Sequence, residues 1–174
     1  MTEIRELQPT SFAEFDAMPK REGWNYELID GIVKTSPQPS ALHQQVSENI
    51  YHKLHSILKE QQHKPLLAAE LILQDNYFIP DIMICQNELN GTRCEKLPLL
   101  IVEVINPFTM SRAFITKHCK YKQFGIHEYW IVSPVEKCIA AFDFAAGTEN
   151  LYYEGQIIST ALPEITIKLK NIFA

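Results

Sequence analysis

Leu42, Val46, Ile50, Leu54, Ile57 and Leu58 recur at helical spacing and form one apolar stripe. The stripe predicts a long helix from about Ser40 to Gln62, ended by Pro65. Upstream, Ser11-Phe12-Ala13-Glu14 has capping-box form and predicts a short helix ending near Met18-Pro19. Trp24 to Ile29 and Ile32-Val33-Lys34 flank Asp30-Gly31, a strong signal for a tight hairpin. The two prolines of Ser36-Pro37-Gln38-Pro39-Ser40 predict a loop. Downstream the period shortens. Leu66 to Leu73 and Ile79 to Cys85 read as strands around a turn at Gln74-Asp75-Asn76, and Asn87 to Lys96 reads as a polar surface loop. Leu99 to Ile105 is apolar at nearly every position, as in a strand buried on both faces, and Asn106-Pro107 closes it. Ser111 to Phe124 predicts a helix with Gly125 at its C-terminal cap. Glu128 to Val132 and Cys138 to Phe144 predict a hairpin. Leu151-Tyr152-Tyr153, a break at Pro163 and a short segment near Asn171 complete the chain.

This order predicts an α/β fold of α+β character, a mixed β-sheet with helices packed on it. The helix between Leu99–Ile105 and Glu128–Val132 makes a strand–helix–strand unit, so those two strands are expected to be parallel. With 174 residues and no Gly- or Ser-rich linker, one domain is expected over 1–174, with an N-terminal helical extension at 1–22 and a core at 24–173.

A hydrophobic fraction of 46% and a charged fraction of 21% are ordinary for a globular chain. The formal net charge of −5 argues against tight, unassisted binding to phosphate backbones over the whole surface, but permits a local basic face. Cys85, Cys94, Cys119 and Cys138 form no CxxC pair and read as reduced thiols rather than a zinc site. The first residues carry no apolar signal region, and the longest apolar runs fall far short of a membrane span. The expectation is a soluble cytoplasmic protein with no membrane association.

Within this frame two acids stand out. Glu103 interrupts the most apolar strand, on the face of Ile101 and Ile105, where an ionised carboxylate loses its water unless a cation or donor meets it. Asp81 sits 22 positions earlier, after Pro80, in a second apolar strand. If the strands are neighbours, the two carboxylates and the carbonyl of Val104 supply the oxygen ligands of a hard divalent ion such as Mg²⁺. The plainer alternatives are a strand-edge Asp facing water and a Glu paired with a Lys or Arg. From Val104 to His127 the chain carries Arg112, Lys117, Lys120 and Lys122 and no Asp or Glu. Lys117 is placed to meet a scissile phosphate or an attacking water. Arg112, Lys120 and Lys122 read as contacts to a nucleic-acid backbone, or for the two lysines as a solvated helix face. Glu27, before the hairpin turn, is an outward strand residue or a third carboxylate of the site. His43 contacts phosphate or only helps cap the long helix.

These residues together resemble the Uma-two family of bacterial restriction-endonuclease-like proteins, part of the PD-(D/E)XK nuclease superfamily. The resemblance runs from about Trp24 to Phe173. It is carried by Tyr26-Glu27-Leu28-Ile29-Asp30-Gly31, Ser36-Pro37 with His43, Pro80-Asp81 and Val102-Glu103-Val104-Ile105-Asn106-Pro107. Further along it is carried by Lys117, Tyr121, Gly125 to Val132 and Leu162-Pro163-Glu164. It implies a restriction-endonuclease-like sheet core in which Asp81 and Glu103 match the two metal-binding acids. The superfamily lysine normally stands two positions after the Glu, where this chain has Ile105; Lys117, on the following helix, matches the displaced lysine. The chain departs from the pattern at Ala113 and Ser133, where the family usually has Asp, and at Asn106, where it usually has Ser. The Asp missing at 113 either supports the site or caps the helix.

The leading expectation is a metal-dependent DNA endonuclease that hydrolyses phosphodiester bonds with Mg²⁺ or Mn²⁺, Asp81 and Glu103 as ligands and Lys117 as the catalytic cation. Glu27 and His43 have supporting roles, and a homodimer is the simplest way to cut both strands. A second expectation is a catalytically weakened nuclease-fold module that binds nucleic acid or a protein partner. A third, purely structural reading predicts Asp81 and Glu103 far apart, or each locked to a basic side chain.

Overall fold

A computed structural model of the chain describes residues 10–86, 93–105 and 112–174, with the side chains of 112–114 outside that description. The elements are helix α1 (Phe12–Ala17), strands β1 (Trp24–Ile29) and β2 (Ile32–Pro37), helix α2 (Ala41–Ile57), and strands β3 (His63–Leu67), β4 (Glu70–Leu73), β5 (Asn76–Phe78), β6 (Ile82–Gln86), β7 (Arg93–Cys94) and β8 (Leu100–Val104). Then come helix α3 (Arg112–Phe124), strands β9 (Glu128–Ser133), β10 (Cys138–Asp143), β11 (Thr148–Tyr152), β12 (Gln156–Ile158) and β13 (Thr166–Lys168), and a closing 3₁₀ turn at Leu169–Asn171. One sheet runs β2-β1-β5-β4-β7, a second runs β11-β10-β9-β8-β6-β3, and β12 pairs with β13.

The hairpin turns on Asp30-Gly31 as its sequence dictates, both residues having positive φ. Ser11 and Glu14 close the reciprocal capping box of α1. β8 and β9 are parallel, with Val104 opposite Val132, and α3 connects them. β6 pairs antiparallel with β8, Ile82 opposite Val102, which sets Asp81 level with Glu103.

The core follows the two faces of β8. Val102 and Val104 pack with Val46, Ile50, Leu54 and Leu58 of α2 and with the closing segment (Ile157, Leu162, Ile165, Ile167, Leu169, Ile172). Ile101 packs on the other side with Tyr121 of α3, Tyr129, Ile131 and the inner residues of the first sheet. Burial of these side chains at ~25 cal/mol per Å² dominates the driving force for the fold. α1 inserts Phe15 under the hairpin against Leu28, Val33 and Tyr77.

Several boundaries differ from the sequence expectation. α2 ends at Ile57 with Leu58 as its cap, and Leu42, at its first turn, is exposed, beyond the edge of the core. The expected strand Leu66–Leu73 is two strands, because Ala68 adopts φ 47° and turns the chain between the two sheets. Pro65 lies within β3 and Pro37 at the end of β2; both strands are sheet edges, where a missing N–H costs no ladder bond. Residues 87–92 of the expected surface loop lie outside the described residues, and its end, Arg93–Cys94, pairs in parallel with Glu70–Leu71. Arg93 bridges Glu70 and Asp16. Cys85 and Cys94 place their sulfurs 3.0 Å apart in a buried thiol–thiol contact. Among the described residues no helix is long and apolar enough to cross a membrane.

Candidate functional site

Two sheets and two helices meet at one cavity of about 220 Å³, and each contributes part of its charged lining. Asp81 leads into β6, and Glu103 is the penultimate residue of β8, at the same end of the same sheet. The pairing of these strands is fixed by the apolar residues around the acids, so burial of Ile82 and Val102 brings the two carboxylates to one place. Asp81 Oδ2 accepts the N–H of Val104 at 2.8 Å, which ties the acid of one strand to the strand end that carries the other.

Helix α3 delivers Lys117. Its Nζ lies 2.8 Å from Glu103 Oε1 and 2.8 Å from Glu27 Oε1. Glu27 comes from β1 of the other sheet, where its Oε1 also accepts the N–H of Ile79 at 2.8 Å. Tyr121, one helical turn beyond Lys117, donates its hydroxyl to Glu103 Oε1 at 3.0 Å. Helix α2 delivers His43 from its first turn, with Nε2 3.1 Å from Asp81 Oδ2 and Nδ1 3.4 Å from Ser47 Oγ. Ser40 caps that helix by accepting the His43 N–H, and this orients the turn. Lys34, opposite Glu27 in the hairpin, also lines the cavity.

Electrostatics follow from three carboxylates sharing few cations. Burial pushes Glu103 up to about 7, the charges of Asp81 and Glu27 push the same way, and Lys117 opposes them. Burial alone would lower Lys117, but the flanking Glu103 and Glu27 outweigh it and hold the ammonium firmly protonated. Burial likewise opposes protonation of His43, and the hydrogen bond and charge of Asp81, with the Val104 carbonyl, reverse that and raise it. Burial, then the Glu103 charge, keeps the Tyr121 hydroxyl protonated and so able to donate.

Each of the two acids has a basic partner, one of the two outcomes the structural reading expects; the other, acids standing far apart, is not what is found, since they line one cavity. Glu27, Asp81 and Glu103 face Lys34, Lys117 and His43, three acids against three basic groups. Asp81 Oδ1 and Glu103 Oε2 accept no hydrogen bond from the described residues. Among those residues no group of three or more His, Cys, Asp and Glu is assembled to hold an ion on its own. Two carboxylates with one open oxygen each, beside the Val104 carbonyl, form the smaller donor set that Mg²⁺ takes when water and phosphate complete its shell.

Asp81, Glu103, Val104, Lys117, Glu27 and His43 thus converge. The lysine is reached from a helix, and Ile105 adds only apolar lining. Lys120 stands apart, its Nζ 2.5 Å from Asp30 Oδ1 and 3.0 Å from Gln123 Oε1, fastening α3 to the hairpin turn. Lys122 is exposed, and the side chains of Arg112 and Ala113, like all of Asn106, fall outside the described residues. Sequence reasoning missed Tyr121 and Lys34 as site residues. The spacing of four from Lys117 was the available signal for the first, and the cross-strand position from Glu27 for the second.

A family model described as "Putative restriction endonuclease" matches residues 12–169. A crystal structure of a protein from Anabaena variabilis ATCC 29413, described as a putative nuclease belonging to DUF820, superposes with a TM-score of 0.80. It is 20% identical, and the match covers 95% of this chain and 98% of that one, which establishes a shared fold. A search of curated proteins finds no match.

Proposed function

Because the chain belongs to the Uma2 family of restriction-endonuclease-like proteins, we propose that it is a metal-dependent DNA endonuclease that hydrolyses phosphodiester bonds. The observation that carries this reading is the lysine. Lys117 is buried, fully charged and held between two carboxylates, beside a third carboxylate and an opening. A purely structural ion pair needs one acid per base; Lys117 has two.

Asp81, Glu103 and the Val104 carbonyl would hold Mg²⁺ or Mn²⁺. Such an ion, when bound, lowers the pKa of a water and offsets charge on the phosphodiester. The protein side chains do the rest. Val104 N–H and His43 fix Asp81 through Oδ2, and Tyr121 fixes Glu103 through Oε1, which leaves the second oxygen of each for the ion. Glu27 anchors Lys117, whose ammonium orients the attacking water or meets the negative charge that develops on the phosphate. Lys34 in the lining attracts the incoming phosphate. DNA is the substrate, and a symmetric pair of chains would present two such sites to the two strands of a duplex.

The test is plasmid cleavage with Mg²⁺ or Mn²⁺. Wild-type protein cuts and Glu103→Ala does not; equal cutting by both overturns the assignment. Tight DNA binding by wild-type protein with no cutting in either metal supports the weakened, binding-only module instead.

A further inference from the structure

A second cavity, of about 650 Å³, opens among Lys137, Lys168, Lys170, Tyr153, Phe173 and Glu154. We propose that it receives the phosphate backbone of the nucleic-acid strand flanking the cleaved bond, an inference that rests on the endonuclease reading above.

The strand register places this cavity on the same rim as the candidate site. Val104 is opposite Val132, Val132 is opposite Ile139, and Ile139 is opposite Tyr152. The end of the sheet that presents Asp81 and Glu103 therefore continues through the β9–β10 turn with Lys137 to the end of β11 before Tyr153. At ~4.8 Å per strand, the β10 end lies about 14 Å from the β6 end. The far wall is held to the same rim by a second route. Gln45 Nε2 donates to the Ala174 carbonyl at 3.3 Å and Asn49 Nδ2 to the Ile172 carbonyl at 3.0 Å, so Phe173 is pinned against the first half of α2, whose N-terminus carries Ser40 and His43. One strand of nucleic acid lying along this rim meets both cavities.

Charge favours the same occupant. Three lysines against Glu154 leave a local surplus of two positive charges in a chain of net −5. Among the described residues none of the three makes an ion pair, in contrast to Lys117 and Lys120. Unpaired ammonium groups beside exposed Tyr153 and part-buried Phe173 suit a strand, because phosphates take the lysines and a base stacks on a ring.

The experiment compares wild type, a Lys137→Gln/Lys168→Gln/Lys170→Gln triple variant and a Lys53→Gln/Lys59→Gln/Lys96→Gln control. The control has the same charge change at exposed positions away from the rim. Fluorescence anisotropy with labelled 20-nucleotide single-strand and 20-base-pair DNA is run across salt concentrations, with Ca²⁺ in place of Mg²⁺. The rim triple is expected to bind at least about tenfold more weakly. Its slope of log affinity against log salt is expected to be shallower by about two, near 0.7–0.9 per lost phosphate contact. The control keeps wild-type values, and cutting of a four-nucleotide strand is unchanged in both. Wild-type affinity and slope in the rim triple, or an equal loss in the control, overturns the proposal and leaves the endonuclease reading intact. Wild-type protein that neither binds these probes nor cuts plasmid overturns both.

Discussion

The Tyr121 hydroxyl donates to Glu103 Oε1, the same oxygen that Lys117 reaches, so one carboxylate oxygen is held by two donors from one helix face while the other accepts no hydrogen bond from the described residues. This arrangement makes Tyr121 a positioning residue. Tyr121→Phe removes one buried hydrogen bond, worth about 1 kcal/mol, and loosens the orientation of Glu103. Cleavage is expected to fall about three- to tenfold, with a matching loss of Mn²⁺ affinity by calorimetry. A drop in cleavage with metal affinity unchanged would place Tyr121 elsewhere in the mechanism.

Lys117→Met separates the roles of ammonium and acids. Methionine fills a similar volume and removes the charge. Cleavage is expected to drop by a factor of about 10² or more, as for loss of a donor aimed at developing charge. Mn²⁺ affinity is expected to hold or rise, because the cation competing for Glu103 and Glu27 is gone. Parallel loss of both would mean that Lys117 serves only to assemble the site.

Metal-free protein should record the cost of burying Glu103. Its folded pKa, about 7, lies above the unfolded value near 4.5, so the protonated form is favoured by folding. The sign follows: stability is lost as pH rises from about 4.5 to about 7, by an amount of order 3 kcal/mol at most. Glu103→Gln escapes this cost and leaves Lys117 its Glu27 partner. In EDTA at pH 8 the variant is expected to melt above wild type, and the gap should close toward pH 5. Mg²⁺ then raises the wild-type melting temperature and leaves that of Glu103→Gln where it was. A gap that does not change with pH would show that Glu103 carries no such penalty.

How far the chain could be read in advance depends on whether the information is local. The Asp30-Gly31 turn, the capping box at Ser11 and Glu14, and the stripe from Val46 to Leu58 are local, and all reappear in the structure. Parallel pairing of β8 with β9 follows from handedness and connection length. The parting of β3 from β4 was invisible, because positive φ at Ala68 is imposed by a switch between sheets and not by a residue that prefers it. At the site, Glu103 announced itself by polarity alone. The sharing of Lys117 between two acids did not, since Glu27 and Glu103 are 76 residues apart in the chain and meet only where the two sheets meet. Lys120 looked like Lys117 in sequence and is spent on Asp30.

Glu128 shows that a buried carboxylate in this fold is not always part of the site. It begins β9 at the end of the sheet opposite Glu103 and is 1% exposed. Its Oε1 accepts the Trp130 indole N–H at 2.6 Å; its Oε2 accepts the Ser159 hydroxyl and the Ala161 N–H, the latter at 3.1 Å. Each of these partners donates, and together they lock the closing segment onto β9. Glu128→Gln puts an amide N–H₂ against one or more of those donors and leaves buried groups unmatched. Such a change costs about 2–4 kcal/mol. Urea denaturation is expected to show a lower midpoint by that amount, with the Mn²⁺ affinity and per-molecule cleavage rate of the folded fraction unchanged. A selective loss of activity at wild-type stability would instead connect Glu128 to the chemistry at the far end of the sheet.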